Sequence, residues 1–303
     1  MRNIYRLQFI DAVVQIADAG SIRGAAEQMG ISQPALTKTL RQFENELGVV
    51  LFERTSRGVA PSEIGLTVLT RARAIKREVD RIQEEVEFFK GGLAGQIDLK
   101  VSPLAGVSIL PPAIARFRQK YPSARINLST GTFPLALQPL RDGLLDMVVG
   151  PIPAKHEIHD LEAEFLMNSE VVLITSARSA WKKARSLADL VDAPWIQIGG
   201  AGGPGETFKE VFEMRGLPVP EVKTSSESYF SILAMVEELD AVCSFPKRLL
   251  GELGPHRSIV QIPIAESLDV ARVGIIKRAG VPFTPAAEHL ATWIRRISAS
   301  LEK

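Results

Sequence analysis

Residues 20–54 run GSIRGAAEQMGISQPALTKTLRQFENELGVVLFER, in which two short apolar-periodic segments are separated by a glycine. Ser21 is placed to cap the first, where Ile22, Ala25, Ala26 and Met29 recur at helical spacing before Gly30 closes it. Ser32 is placed to cap the second. Pro34 falls in its first turn, where a missing N–H is harmless, and Ala35, Leu36, Leu40, Phe43 and Leu47 follow on one face until Gly48. Two helices joined by a tight turn, the second opening with short polar side chains, form a unit able to lay that second helix in the major groove of DNA.

The other face of the second helix carries Gln33, Thr37, Lys38 and Arg41, with Ser32 and Pro34 at its start. Gln pairs bidentately with adenine, Lys and Arg with guanine or phosphate, and Thr touches a thymine methyl. Upstream, Leu7, Phe9, Ile10, Val13, Val14 and Ile16 predict a helix over residues 5–17, ended by Gly20. Downstream, Val50, Leu51 and Phe52, a polar turn with Arg54 and Arg57, and then Val59 predict a two-stranded wing over residues 49–61. Each contact residue has a plainer alternative: Pro34 as a helix starter, Thr37 as a solvated side chain, Arg54 as a partner for Glu53 or for an acid within the fold.

The 303 residues carry a formal net charge of only +1, so attraction to nucleic acid must come from a local patch, and Lys38, Arg41, Arg54 and Arg57 supply it. An apolar fraction of 46% with 23% charged residues suits a fully folded chain of two or three domains. No apolar run approaches the roughly 18 residues of a membrane span and the first segment has no signal-peptide core, so a cytoplasmic protein without membrane contact is expected. Cys243 lies among apolar neighbours and reads as a buried thiol. His156 and His159 lack partners at metal-ligand spacing and read as surface loop residues, so neither a metal site nor a catalytic constellation is expected.

Beyond the wing, Val68, Ala72, Ile75, Val79, Ile82, Val86 and Phe89 step alternately by four and three residues, the seam of a coiled coil between two chains. The alternative is a helix packed on its own domain. Gly91, Gly92 and Gly95 then predict a hinge. From Gln96 strands and helices alternate in two comparable runs. The first has strands at 97–102, 125–130 and 146–150 with helices at 109–120 and 136–143. The second has strands at 195–198, 222–225 and 241–245 with helices at 207–216 and 229–238. Such alternation predicts parallel sheets in two lobes, with 161–167 and 268–276 as crossing strands and a last helix over 286–301. The expected fold is therefore mixed: an all-α winged helix-turn-helix (1–60), a linker helix (61–90), a hinge (91–95) and an α/β two-lobed domain (96–303). Lobe I takes 96–162 and 270–303, lobe II 163–269.

Ser102 and Pro103 end one strand and Thr132 and Phe133 follow another, so both hydroxyls fall where strands feed helix starts, places that collect anions. The alternative for each is an ordinary helix cap. Gly200, Gly202 and Gly205 match G-x-G-x-x-G after a strand, but Pro204 interrupts the turn and no acid ends the next strand near Thr224 and Ser225. Lining of a ligand cleft, a connecting loop and dinucleotide binding stay open for this loop.

The ungapped stretch 20–54, above all Ala25-Ala26, Ser32 to Ala35, Glu44, Leu47-Gly48 and Leu51 to Arg54, resembles the DNA-binding domain of LysR-type transcriptional regulators. That resemblance implies a winged helix-turn-helix followed by a periplasmic-binding-protein-like effector domain. It places Gln33, Pro34, Thr37 and Lys38 in the groove and Arg54 on the wing. It further implies no cofactor but a small-molecule co-inducer, an anionic aromatic or dicarboxylic metabolite, held between the lobes by Ser102, Pro103, Leu104, Thr132, Phe133, Ile198, Gly199, Gly200 and Phe245. The implied partners are double-stranded operator DNA and further copies of the chain, as a homodimer pairing into a homotetramer, and contact with RNA polymerase is compatible with that role. One departure stands out: where relatives commonly have Gly-x-Gly, this chain has Glu238-Leu239-Asp240, which predicts a differently built corner.

Overall fold

Serine side chains start the helices that the first segment of sequence builds. In the computed structural model, which describes residues 6–55, 58–90, 92, 95–252, 258–268 and 270–302, the chain forms two units, the first made of the residues up to Lys90 together with Asp142–Leu144 and the second of the rest. In the first unit, α1 (Leu7–Ala19) leads into α2 (Ile22–Met29), whose Gly24 N–H is accepted by the Ser21 hydroxyl at 3.0 Å. Ser32 likewise accepts the Ala35 N–H and begins α3 (Gln33–Leu47). Phe9, Ile16, Leu36 and Leu51 are fully buried, each contributing about 1.5–3 kcal/mol, and the Phe9 and Phe43 rings stack at 5.0 Å.

The wing is an antiparallel pair, β1 (Phe52–Thr55) and β2 (Gly58–Pro61). Ser62 ties the wing to the next helix: its hydroxyl donates to the Val50 carbonyl at 2.7 Å and accepts the Gly65 N–H at 3.0 Å, starting α4 (Glu63–Phe89). Gly65 is required by space, because a Cβ there would stand 2.0 Å from the Leu51 carbonyl oxygen.

In the second unit β3 (Gln96–Val101) runs into a wide-turn segment, Ala105–Ile109, that continues as α5 (Leu110–Phe117). Next come β4 (Arg125–Thr130), α6 (Leu137–Arg141) and β5 (Met147–Pro151). The expected helix over 136–143 shrinks to five residues, since Pro139 and the turn after Arg141 leave it no room to lengthen. The strand β6 (Leu161–Ser176) is 16 residues long, more than twice the expected 161–167.

Lobe II has β7 (Trp195–Ile198), α7 (Thr207–Met214), β8 (Val222–Ser226), α8 (Tyr229–Glu238), β9 (Cys243–Pro246), α9 (Lys247–Glu252) and β10 (Ile259–Gln261). The chain returns along β11 (Val270–Arg278), antiparallel to β5 and β6, and ends in α10 (Pro285–Leu301). The first part of β6 pairs with β11 and its last residues with β9 and β10, so it changes partner near Glu170 as it passes between lobes. The expected parallel pairs are present: β3 lies between β4 and β5, and β7 beside β8. Lobe II has its own core, where Trp195 stacks on Phe208 at 4.4 Å and donates its indole N–H to the Leu190 carbonyl at 2.9 Å. Cys243 is buried, as expected, and burial pushes its thiol up, keeping it protonated.

Between α5 and α10, His289 sits against Phe117 and Tyr121 and accepts the Trp293 indole N–H at 3.3 Å. Burial, with Lys120 and Arg296 nearby, holds its imidazole below the ordinary 6.5. The unfolded chain therefore binds this proton more readily, and stability falls as the pH drops below about 6.5. The melting temperature between about pH 7.5 and 5.5 should fall less steeply in His289→Gln than in the wild type. Gly65→Ala should lower stability by about 1–3 kcal/mol in urea titrations followed by circular dichroism. Gly251→Ala, where nothing lies within 4 Å of the new methyl, should not.

Candidate functional site

The exposed side of α3 brings together Ser32, Gln33, Pro34, Lys38 and Arg41, with Thr37 half-buried among them. The Thr37 hydroxyl donates to the Gln33 carbonyl at 2.9 Å, which leaves its methyl group and a lone pair for other contacts. Arg54 is exposed on β1. Arg57 lies outside the described residues. Lys38, Arg41 and Arg54 make no ion pair among the described residues, whereas Arg23, Arg73 and Lys76 of the same unit are paired with Glu27, Asp18 and Asp11. The surface that sequence assigns to DNA is therefore the one whose cations are left uncommitted.

Glu44 holds this face to the wing. Its carboxylate accepts the backbone N–H of Leu51 at 2.7 Å and of Phe52 at 3.4 Å, so one side chain of α3 is bonded to the start of β1. Charge-assisted bonds of this kind are the strong ones.

Along α4 the seven seam positions separate. Val68 and Ala72 pack with Phe9, Val13, Phe43 and Leu69 in the core of the first unit. Those two residues, expected to face a partner helix, are instead covered by their own domain, because α4 begins by lying across α1. Val79 is half-buried. Ile75, Ile82, Val86 and Phe89 stay 44%, 62%, 47% and 94% exposed.

The nine residues expected at the ligand cleft come together around two adjoining cavities of about 60 and 40 Å³. Ser102, Leu104 and Phe245 line the inner one, Pro103, Phe133, Gly199 and Gly200 the outer one, and Thr132 and Ile198 both. Ser102 also accepts the Ala105 N–H at 3.3 Å, so it caps a helix and faces the cavity at once. Three hydroxyls escaped sequence reasoning: Ser169 on β6, Ser244 on β9 and Tyr229 at the start of α8. Nothing in the local pattern marks a lone serine on a strand. The Tyr229 ring lies 5.4 Å from that of Phe245, and burial pushes its phenol up, so it stays a neutral donor.

The glycine loop is anchored on this cleft. Glu206 pairs with Lys209 and accepts the Gly202 N–H at 2.8 Å, contacts that in that order hold its carboxyl below the usual range. The Gly202 N–H is thus already taken by a carboxylate of the chain itself. Gly205 passes so close to Ile198 that a Cβ would stand 1.9 Å from its carbonyl oxygen. At Glu238-Leu239-Asp240, where a differently built corner is expected, Asp240 adopts φ 53°, a left-handed conformation that Asp tolerates and glycine favours. Neither Glu238 nor Asp240 lines the cleft cavities.

His156 and His159 are exposed, as expected. Among the described residues no three His, Cys, Asp or Glu side chains are placed to hold a metal ion, and no helix is long and apolar enough to cross a membrane.

Comparison with known proteins covers both units. Residues 7–66 match the family described as bacterial regulatory helix-turn-helix protein, lysR family, and residues 90–299 match the LysR substrate binding domain. Over 296 residues the chain is 26% identical to the HTH-type transcriptional regulator GbpR of Azospirillum brasilense, covering 97% of this chain and 86% of that one. Over 271 residues it is 24% identical to TdcA of Escherichia coli strain K12, covering 89% and 86%. Among solved structures, CbnR, a LysR family transcriptional regulator, superposes with a TM-score of 0.71 at 19% identity, covering 97% of this chain and 99% of that one. Full-length CbnR in complex with its target DNA gives the same score at 20% identity, covering 96% and 99%.

Glu44→Ala should cost about 1–3 kcal/mol of stability in urea unfolding of the chain, because two N–H groups lose a charged acceptor. An unchanged midpoint would show that the wing is held elsewhere.

Proposed function

This chain belongs to the LysR family of bacterial helix-turn-helix transcriptional regulators, and from that premise we propose that it reads a dyad operator as a dimer and answers to a small organic anion. Family membership makes it a regulator and not an enzyme, with a domain of the ligand-binding type. The observation that supports the DNA contacts is the set of uncommitted cations, Lys38, Arg41 and Arg54, beside Gln33 and Thr37 on one exposed surface. Gln33 reads adenine, the Thr37 methyl meets thymine, Ser32 and Pro34 bring the first turn of α3 close to the backbone, and the cations take phosphate or guanine. Arg57, between the two wing strands in sequence, is a further phosphate contact in this reading.

Ile75, Val79, Ile82, Val86 and Phe89 of two copies zip together along α4 and hold the two α3 helices at a fixed spacing. Pairs of dimers associate through the second unit into tetramers, and the complex works in the cytoplasm on promoter DNA, where RNA polymerase is the machine it influences. The ligand enters between Ser102 and Thr132 on lobe I and Ile198 and Phe245 on lobe II, with the anchored glycine loop as part of the wall. It biases the lobes toward the arrangement it binds more tightly, and so the geometry imposed on DNA.

Footprinting should show a short dyad-related site of the T-x(11)-A type; uniform coverage of random DNA would contradict it. Joint Ala replacement of Gln33 and Thr37 should abolish specific binding while leaving oligomerisation intact. Lys38→Ala and Arg54→Ala should each weaken binding to all sequences and reduce the salt slope by about 1. Unchanged slopes would take these cations out of the interface.

A further inference from the structure

Ser102 and Thr132 are not the only hydroxyls on this cleft, because three more line it. Ser169 and Ser244 are 5% and 6% exposed, and they line the inner cavity together with Tyr229. None of the three side-chain hydroxyls has a hydrogen-bond partner among the described residues. Buried hydroxyls elsewhere in this unit are engaged: Thr175 donates to the Ala241 carbonyl at 2.9 Å, Ser298 to that of Ile294 at 2.9 Å, and Ser179 accepts the Trp181 N–H at 3.1 Å. A hydroxyl that faces a cavity without a protein partner is free to donate to, and accept from, a molecule that fills it.

Charge narrows what that molecule is. The described residues lining the two cavities include no Lys and no Arg, and Glu227 stands on the outer one. A single carboxylate can be met by hydroxyls and backbone N–H groups. A second would lie desolvated, without a cation and on the side of Glu227. Tyr229 lines both cavities, and its ring against Phe245 fixes where its phenol stands.

We propose that Ser169, Ser244 and Tyr229 are the specificity-determining wall of this cleft, selecting a compact hydroxyl-bearing ligand with no more than one carboxylate. This rests on the cleft being the effector site. It also narrows the expected ligand, because a dicarboxylate is excluded.

Thermal-shift titration of the full chain with propanoate, lactate, glycerate and malonate tests it. These three-carbon probes add hydroxyls one at a time and then replace them with a second carboxylate. Stabilisation should grow from propanoate through lactate to glycerate, and malonate should give none. In Ser169→Ala, Ser244→Ala and Tyr229→Phe the advantage of glycerate over propanoate should collapse, while Ser102→Ala should remove every shift. Shifts that persist in Ser102→Ala would place the ligand elsewhere and defeat the effector-site assignment itself. Shifts lost in Ser102→Ala but ranked as before in the other three variants, or malonate matching glycerate, would overturn the specificity proposal alone. Should none of the four probes act, the ligand-free proteins decide. Hydroxyls kept for a ligand add nothing to the fold, so the three variants should melt at or above the wild-type temperature. A lower melting temperature would show structural hydroxyls and overturn the proposal.

Discussion

Ile75, Ile82, Val86 and Phe89 form an apolar edge of α4 that the described part of its own unit does not cover, and the rest of the proposed assembly depends on that edge. Side chains of this size contribute about 1.5–3 kcal/mol each when fully buried, enough together to offset much of the cost of bringing two chains into register. Val68 and Ala72 continue the same periodicity at the other end of the helix, but there it faces inward onto α1 and Phe43. One seam therefore serves two purposes. Its first turns fasten α4 to the helix-turn-helix, and its remainder is free for a second copy. Pairing of this kind makes a rigid connection, because the residues that would space two α3 helices are continuous with those that orient each one.

The uncommitted cations gain their meaning from this coupling. With a net charge of +1 the chain offers DNA little long-range attraction, so affinity must come from a few contacts made twice at the right spacing. Glu44 matters for the same reason. By accepting the N–H groups of Leu51 and Phe52 it makes the wing and the helix face one piece. In the second unit, β6 and β11 provide the comparable constraint: two antiparallel strands carry the backbone from lobe to lobe, with Ser169 on β6, Ser244 on β9 paired to it, and Ser102 and Tyr229 at helix starts.

What could be read from sequence was what local chemistry determines. Ser21, Ser32 and the glycines at 20, 30 and 48 bound helices within a few residues, so α2 and α3 were legible almost to their ends. Ser102 and Thr132 were legible because a strand end before a helix start is also a local pattern. The length of β6 was not, since its burial changes sense where it leaves β11 for β9, and no single periodicity spans that exchange. Ser169, Ser244 and Tyr229 were missed for a related reason: they meet only through tertiary pairing, and a hydroxyl whose importance lies in having no partner leaves no mark on its neighbours. Along α4 the period alone could not tell Val68 and Ala72, covered from within, from Ile82 and Phe89.

Sedimentation of the chain carrying Ile82→Glu and Val86→Glu decides whether two copies pair along α4. The two positions are exposed in the single chain, so the charges should leave its helical circular dichroism intact while reducing the assembly below the wild-type dimer or tetramer toward monomer. A variant that folds normally and sediments as the wild type would contradict that pairing, and with it the spacing of the two α3 helices on DNA.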